Sequence, residues 1–157
     1  MEEYALVVNV EAALRRDGEY LLVERAADEA HAGGLLAFPG GKVEPPPDGD
    51  ASFEETARRE LYEEVGVDVG AVEYVHSRTF LTDDGTACVN VVTLCEDEGG
   101  EAHVRAPEEV AAVRWLSPEA VRDHPDAPAF LERDVERLEG IRAEDDDGPS
   151  ERVSRGR

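Results

Sequence analysis

Between Ser52 and Val67 the chain reads SFEETARRELYEEVGV, and a helix with one buried face is the structure that this pattern accommodates. Ser52 is placed to cap the helix, with Glu55 three residues on completing a capping box. Ala57, Arg58, Arg59, Glu60 and Leu61 are fair to strong helix formers, and Gly66 supplies the stop. At roughly 100° per residue, Phe53, Ala57, Leu61 and Val65 form an apolar stripe about 120° wide. Glu60, Glu63 and Glu64 fall within an arc of about 100° on the same wheel. Glu64 projects between Phe53 and Ala57, at the edge of the expected core. A purely solvated acidic face should point away from the stripe, and this one overlaps it.

Upstream, Phe38-Pro39-Gly40-Gly41 reads as a short strand ending in a Gly-Gly turn whose backbone can come close to a ligand or metal. Three neighbouring carboxylates repel one another and raise one another's pKa. A hard cation such as Mg²⁺ or Mn²⁺ relieves that conflict, because it prefers oxygen ligands. Arg59, at i,i+4 from Glu63, is placed to orient that carboxylate. Taken alone, the glutamates fit an ordinary charged surface helix equally well. The Gly-Gly turn and the overlap with the apolar stripe favour a site that holds divalent metal against a phosphate chain. Lys42, the only lysine, stands beside that turn, where it either reaches a phosphate or sits solvated in a loop.

Gly41 followed by Arg59-Glu60-Leu61-x-Glu63-Glu64-x-Gly66-Val67 resembles the Nudix box, the loop–helix–loop of the Nudix hydrolases. The second half matches residue by residue, and the first half departs. Glu44 is followed by Pro45-Pro46-Pro47-Asp48-Gly49-Asp50-Ala51 before Ser52, several residues more than the family's spacing. Counting back from Arg59, the family's first glutamate falls on Ala51, with Asp50 beside it. That position is mainly structural in the family, so the expectation is an enlarged loop, stiffened by its prolines, that projects beside the site.

A chain of 157 residues is long enough for one domain with a substantial core. Its net charge is −22, and all its basic residues but Lys42 are arginine, which looks like a surface adapted to high salt. The same charge argues against nucleic-acid polymers and anionic membranes as partners. No apolar run is long enough to span a bilayer, and the N-terminus lacks a signal-peptide pattern. Cys88 and Cys95, seven apart in one expected strand, should face opposite sides as core thiols of a reducing, cytoplasmic compartment.

In chain order, strands are expected at Tyr4–Leu14, Tyr20–Glu24, Leu35–Phe38, Ala71–Leu81, Ala87–Cys95 and Val113–Leu116. Asp83-Asp84-Gly85 signals a hairpin. A helix should begin at Ser117-Pro118 and another should cover Ala129–Leu138. Residues 1–142 form the expected domain, and 143–157 the expected disordered tail. The element order implies an α/β sandwich with a mixed sheet between helices, and the Nudix resemblance implies the same α/β/α architecture.

What the resemblance implies for chemistry is metal-dependent hydrolysis of a diphosphate linkage. Glu60, Glu63 and Glu64 would carry Mg²⁺ or Mn²⁺ with the Gly41 carbonyl, and Arg59 would orient the glutamates. The general base is either a box glutamate or a glutamate on a later loop, where Glu109 stands six residues before Trp115. Glu109 reads equally as one more surface acid among 38. His31, His76, His103 and His124 show no metal-ligand spacing and read as solvated or satisfied side chains.

The substrate expected is a small nucleotide, with a nucleoside triphosphate or modified nucleotide as default. Leu21-Leu22-x-x-Arg25 followed by Gly34-x-x-x-Phe38-Pro39-Gly40-Gly41 echoes the coenzyme A pyrophosphatase motif, but Val23, Ala26 and Ala30 replace its Thr, Ser and Arg. The proline of ADP-ribose-type members and the aromatic signature of NADH-type members are absent. The rival is a Nudix-fold module that binds a nucleotide without cleaving it, and intact Arg59, Glu60, Glu63 and Glu64 argue against it. Many family members dimerise, so a homodimer stays open.

Overall fold

The sheet is laid out on its first strand, β1 (Val7–Arg16). The computed structural model describes residues 2–27, 33–44, 50 and 52–147. A 3-10 turn, Glu2–Tyr4, precedes β1, so the strand starts three residues later than the apolar run suggests. The reason is pairing: the partner strand begins to match β1 only at Val7↔Cys88, and Tyr4 is left 79% exposed.

Asp17 and Gly18, with φ of 53° and 82°, turn the chain into β2 (Glu19–Arg25). The strands β3 (Leu36–Ala37) and β4 (Gly40–Lys42) lead to α1 (Ser52–Val65). Then come the long hairpin β5 (Val69–Leu81) and β6 (Ala87–Asp97), the strand β7 (Val110–Leu116), α2 (Pro118–Asp123) and α3 (Ala129–Asp147). The seven strands form one sheet in the order β3-β2-β1-β6-β5, with β4 added on β1 and β7 on β2. β1 and β6 run parallel from Val7↔Cys88 to Leu14↔Cys95, and the other pairs are antiparallel, which makes the sheet mixed.

Strand alternation sends side chains to two cores. Val10, Ala12 and Leu14 pack with Leu21, Val91 and Cys95 against Ala57, Leu61 and Val65 of α1. Ala13, Tyr20, Leu22 and Leu36 face the other way, against Val121 of α2 and Leu131, Val135 and Leu138 of α3. The result is the expected α/β/α sandwich. Both thiols are buried and free of disulfides. No helix among the described residues is long and apolar enough to cross a membrane.

Three further expectations change. Gly40 and Gly41 are not a turn but part of a strand, paired Glu11↔Gly40 and Val10↔Gly41. β1 meets β2 only at Arg15↔Tyr20 and Arg16↔Glu19, and β4 takes the vacated edge. Phe53 is 38% exposed, so the stripe of α1 seats only its last three members in the core. Finally, α3 continues past Leu138 to Asp147, so residues 143–147 prolong a helix where a tail was expected. Arg142 pairs with Glu139 at i,i+3, and Ala143 and Glu144 are strong helix formers. The remainder of that tail, like Pro45–Gly49, Ala51, Ala30 and His31, lies outside the described residues.

Candidate active site

The site forms where the C-terminal half of α1 lies against β4. Gly66, with φ of 74°, ends the helix by donating its N–H to the carbonyls of Leu61 and Tyr62 at 3.0 Å each. Arg59 joins helix and strand, donating from Nη2 to the Lys42 carbonyl (2.9 Å) and to Glu60 Oε2 (2.8 Å). A Cβ on Gly41 would lie 2.5–2.7 Å from the Glu60 carboxylate atoms, so the absence of a side chain there is what lets Glu60 approach the strand.

Glu64, one turn beyond Glu60, is 6% exposed, at the core edge where the helical wheel places it. Burial raises its carboxyl well above the usual range. A hydrogen bond with Glu60 and the negative charges of Glu60 and Glu109 add to this, and a hydrogen bond from the Gly40 backbone opposes it. The charge of Glu109 thus bears on Glu64. Its turn is held by Glu109 N–H donating to the Ala106 carbonyl (2.9 Å) and by the Glu109 carbonyl accepting from Ala26 N–H (2.9 Å).

Gly41, Glu60 and Glu64 therefore adjoin, with Arg59 and Glu109 at their margin. Glu63 stands apart: its side chain is 58% exposed and its Oε1 lies 3.9 Å from Arg59 Nε. Lys42 contributes its backbone carbonyl, as acceptor for Arg59. His103 packs over Gly66, and His124 Nδ1 accepts from Asp126 N–H (3.1 Å), in keeping with satisfied histidines.

Sequence reasoning missed a polar cluster on the α3 side of the sheet, starting at Glu11, the β1 residue paired with Gly40. Asn90 Nδ2 donates to Glu11 Oε2 (2.9 Å), and Arg78 reaches Glu11 (3.5 Å) and Asp134 of α3 (2.7 Å) with its guanidinium 4.5 Å above Phe130. The available signal was a lone acid within the apolar run Val7–Leu14. Burial pushes Glu11 up to about 7, against the pull of Arg78. Its carboxyl is neutral in the fold at a pH where the unfolded chain has already ionised it. The contribution of Glu11 to stability is therefore full below the ordinary carboxyl pKa of 4.5 and declines as pH rises through about 7. Glu11→Gln should remove that decline, gaining roughly 2–3 kcal/mol on wild type between pH 5 and pH 8 in urea unfolding. Parallel pH profiles for the two proteins would refute this.

A divalent cation is the group these residues suit. Their donors are all oxygen, and the charges bearing on Glu64 are both negative, so a hard cation replacing the proton between Glu60 and Glu64 removes the strain of two adjacent acids. Among the described residues no three His, Cys, Asp or Glu side chains already converge as a metal shell. Glu60 and Glu64 fit such an ion by chemistry, and Glu63 would have to turn toward it.

The chain belongs to the NUDIX domain family, whose model matches residues 4–134. It is a Nudix-type pyrophosphohydrolase, an enzyme acting on phosphorus-containing anhydrides. Among characterised proteins it is similar to the CTP pyrophosphohydrolase of Escherichia coli (strain K12), 36% identical over 123 residues that span 78% of this chain and 84% of that one. The solution structure of the E. coli ORF135 protein superposes with a TM-score of 0.67 at 32% identity, covering 96% of this chain and 98% of that chain. The MutT NUDIX hydrolase of Burkholderia pseudomallei superposes with a TM-score of 0.69 at 26% identity, covering 85% and 98%.

Proposed function

We propose that this enzyme hydrolyses the pyrophosphate linkage of a nucleoside triphosphate, with CTP the first candidate, and uses Mg²⁺ or Mn²⁺. The observation that carries this reading is the 36% identity to a CTP pyrophosphohydrolase across 78% of the chain. The Glu60–Glu64 carboxyl pair against Gly41 supports the metal assignment.

In this reading water attacks a phosphorus of the anhydride, a new O–P bond forms, the bridging P–O bond breaks, and the products are CMP and pyrophosphate. The cation, when bound, supplies positive charge against the phosphate chain. Arg59 holds Glu60 in place through its 2.8 Å hydrogen bond while remaining anchored on the Lys42 carbonyl. Glu64 or Glu109 takes the proton of the attacking water, since a general base must lie within hydrogen-bond reach of that proton. Two free buried thiols support a reducing, cytoplasmic location.

The test is turnover of CTP, UTP, ATP, GTP, ADP-ribose and coenzyme A with Mg²⁺ or Mn²⁺ in high KCl. We expect CTP to exceed the other triphosphates in kcat/KM by about tenfold or more, the discrimination one or two specific base contacts provide. Preference for ADP-ribose or coenzyme A would overturn the substrate class. Nucleotide binding without turnover would put the non-catalytic module first.

A further inference from the structure

The segment between β6 and β7 is fastened to the C-terminal end of α1 as a strap. His103 N–H donates to the Val65 carbonyl (3.0 Å) and Arg105 N–H to the Glu64 carbonyl (2.9 Å). These carbonyls lack partners within the helix, because the last turn of a helix has none to offer. Arg105 adds its side chain: Nη1 donates to the Tyr62 carbonyl (3.1 Å), and the guanidinium lies 4.4 Å from the Tyr62 ring centroid. A cation here also faces the negative end of the helix dipole.

The strap packs so closely that a Cβ on Gly66 would strike the His103 ring and come within 3.0 Å of Arg105 Cδ. Immediately beyond Arg105, the buried Ala106 accepts at its carbonyl from both Glu109 N–H (2.9 Å) and Val110 N–H (2.8 Å). Arg105 is thus bonded to Glu64 itself on one side and adjoins the tight turn that carries Glu109 on the other. Glu64 and Glu109 come from distant parts of the chain. Residues 103–105 tie the near side of the Glu109 turn to α1, while its far side is tied to the end of β2 by Ala26 N–H donating to the Glu109 carbonyl (2.9 Å).

We infer that Arg105 is a positioning residue for the hydrolysis: by clamping the strap on Tyr62 it holds the carboxyl of Glu109 in reach of the reaction at Glu64. The inference rests on the reading of Glu109 as the group that takes a proton from water. Arg105 acts through Glu109 and not directly on the phosphate chain. Its effect is on the rate of the chemical step and not on substrate binding.

The test compares wild type, Arg105→Ala, Arg105→Lys, Glu109→Gln and the Arg105→Ala/Glu109→Gln double variant in steady-state kinetics with the preferred nucleotide. Amide hydrogen exchange without metal or nucleotide is measured alongside. Arg105→Ala should lower kcat about tenfold with KM within about twofold, the pattern of a lost transition-state interaction. Arg105→Lys, which keeps the cation at the helix terminus, should recover part of that loss. The double variant should be no slower than Glu109→Gln alone, since residues acting as one unit are not additive. The His103 and Arg105 amides should exchange about tenfold faster in Arg105→Ala, as local opening becomes easier.

Unchanged exchange, unchanged kcat or multiplicative losses in the double variant would each overturn the proposal. A Glu109→Gln variant as fast as wild type would overturn it too, while leaving the pyrophosphohydrolase reading intact. Failure of wild type to turn over any nucleotide would instead strike that reading, and the exchange result would still decide whether Arg105 clamps the strap.

Discussion

Glu64→Gln should lower kcat by about a thousandfold, some 4 kcal/mol of transition-state stabilisation, and should raise thermal stability at the same time. The two effects have one cause. The carboxyl is buried at 6% exposure, hydrogen-bonded to Glu60 and close to the charge of Glu109. An acid kept in that setting costs the fold stability, and removing it removes both the cost and the oxygen donor.

The pH dependence follows from the raised pKa. Without metal, the contribution of Glu64 to stability is fully present below the ordinary carboxyl pKa of 4.5 and is lost as pH rises above that value. The glutamine variant has no such loss. In EDTA at pH 7 its unfolding free energy should exceed that of wild type by on the order of 2 kcal/mol, and the two should converge near pH 4. Added Mg²⁺ or Mn²⁺ should then raise the melting temperature of wild type and leave the variant nearly unmoved, because only a protein that binds the ion is stabilised by it. A variant that is less stable than wild type at pH 7, or that keeps its activity, would remove Glu64 from the site.

Adjacent glycines should fail in opposite ways. A Cβ on Gly40 runs into the Val10 carbonyl oxygen and lies 3.0 Å from Glu11 Cα, both backbone of the central strand. Nothing flexible can yield, so Gly40→Ala should cost about 3 kcal/mol or more and detach β4. A Cβ on Gly41 meets only the carboxylate end of Glu60, which can swing away. Gly41→Ala should therefore fold, losing about 1 kcal/mol. Its kcat should fall about a hundredfold, because Glu60 is driven from its place between Arg59 and Glu64. Urea unfolding and turnover of both variants decide the matter. The reverse order, with Gly40→Ala folded and Gly41→Ala unfolded, would contradict the packing described.

The parts of this fold legible from the sequence were those fixed by local periodicity and end signals. α1 declares itself through Ala57, Leu61 and Val65, all fully buried, and through Gly66, which adopts the left-handed conformation its position requires. The start of α2 is equally local: Ser117 accepts from Ala120 N–H (3.1 Å), with proline at the first turn. Glu64 could be placed at the core edge because helix geometry fixes its direction relative to those residues.

What stayed hidden depends on partners distant in sequence. Gly40 and Gly41 look like a turn until β1 is seen to need a partner where it leaves β2. The cluster of Glu11, Asn90, Arg78 and Asp134 joins three strands and a helix, and no single segment foretells it. Arg105 is one arginine among many until the strap is seen to cross the end of α1. Glu63 shows the limit from the other side: it matches the box, yet it lies at the exposed margin of the helix.

The most direct measurement is ³¹P NMR of CTP incubated with the wild-type protein and Mg²⁺ in high KCl. CMP and pyrophosphate should accumulate in equal amounts, and EDTA should stop the reaction. Release of CDP with inorganic phosphate, or CTP left intact by a folded protein that turns over no other nucleotide, would contradict the proposed function.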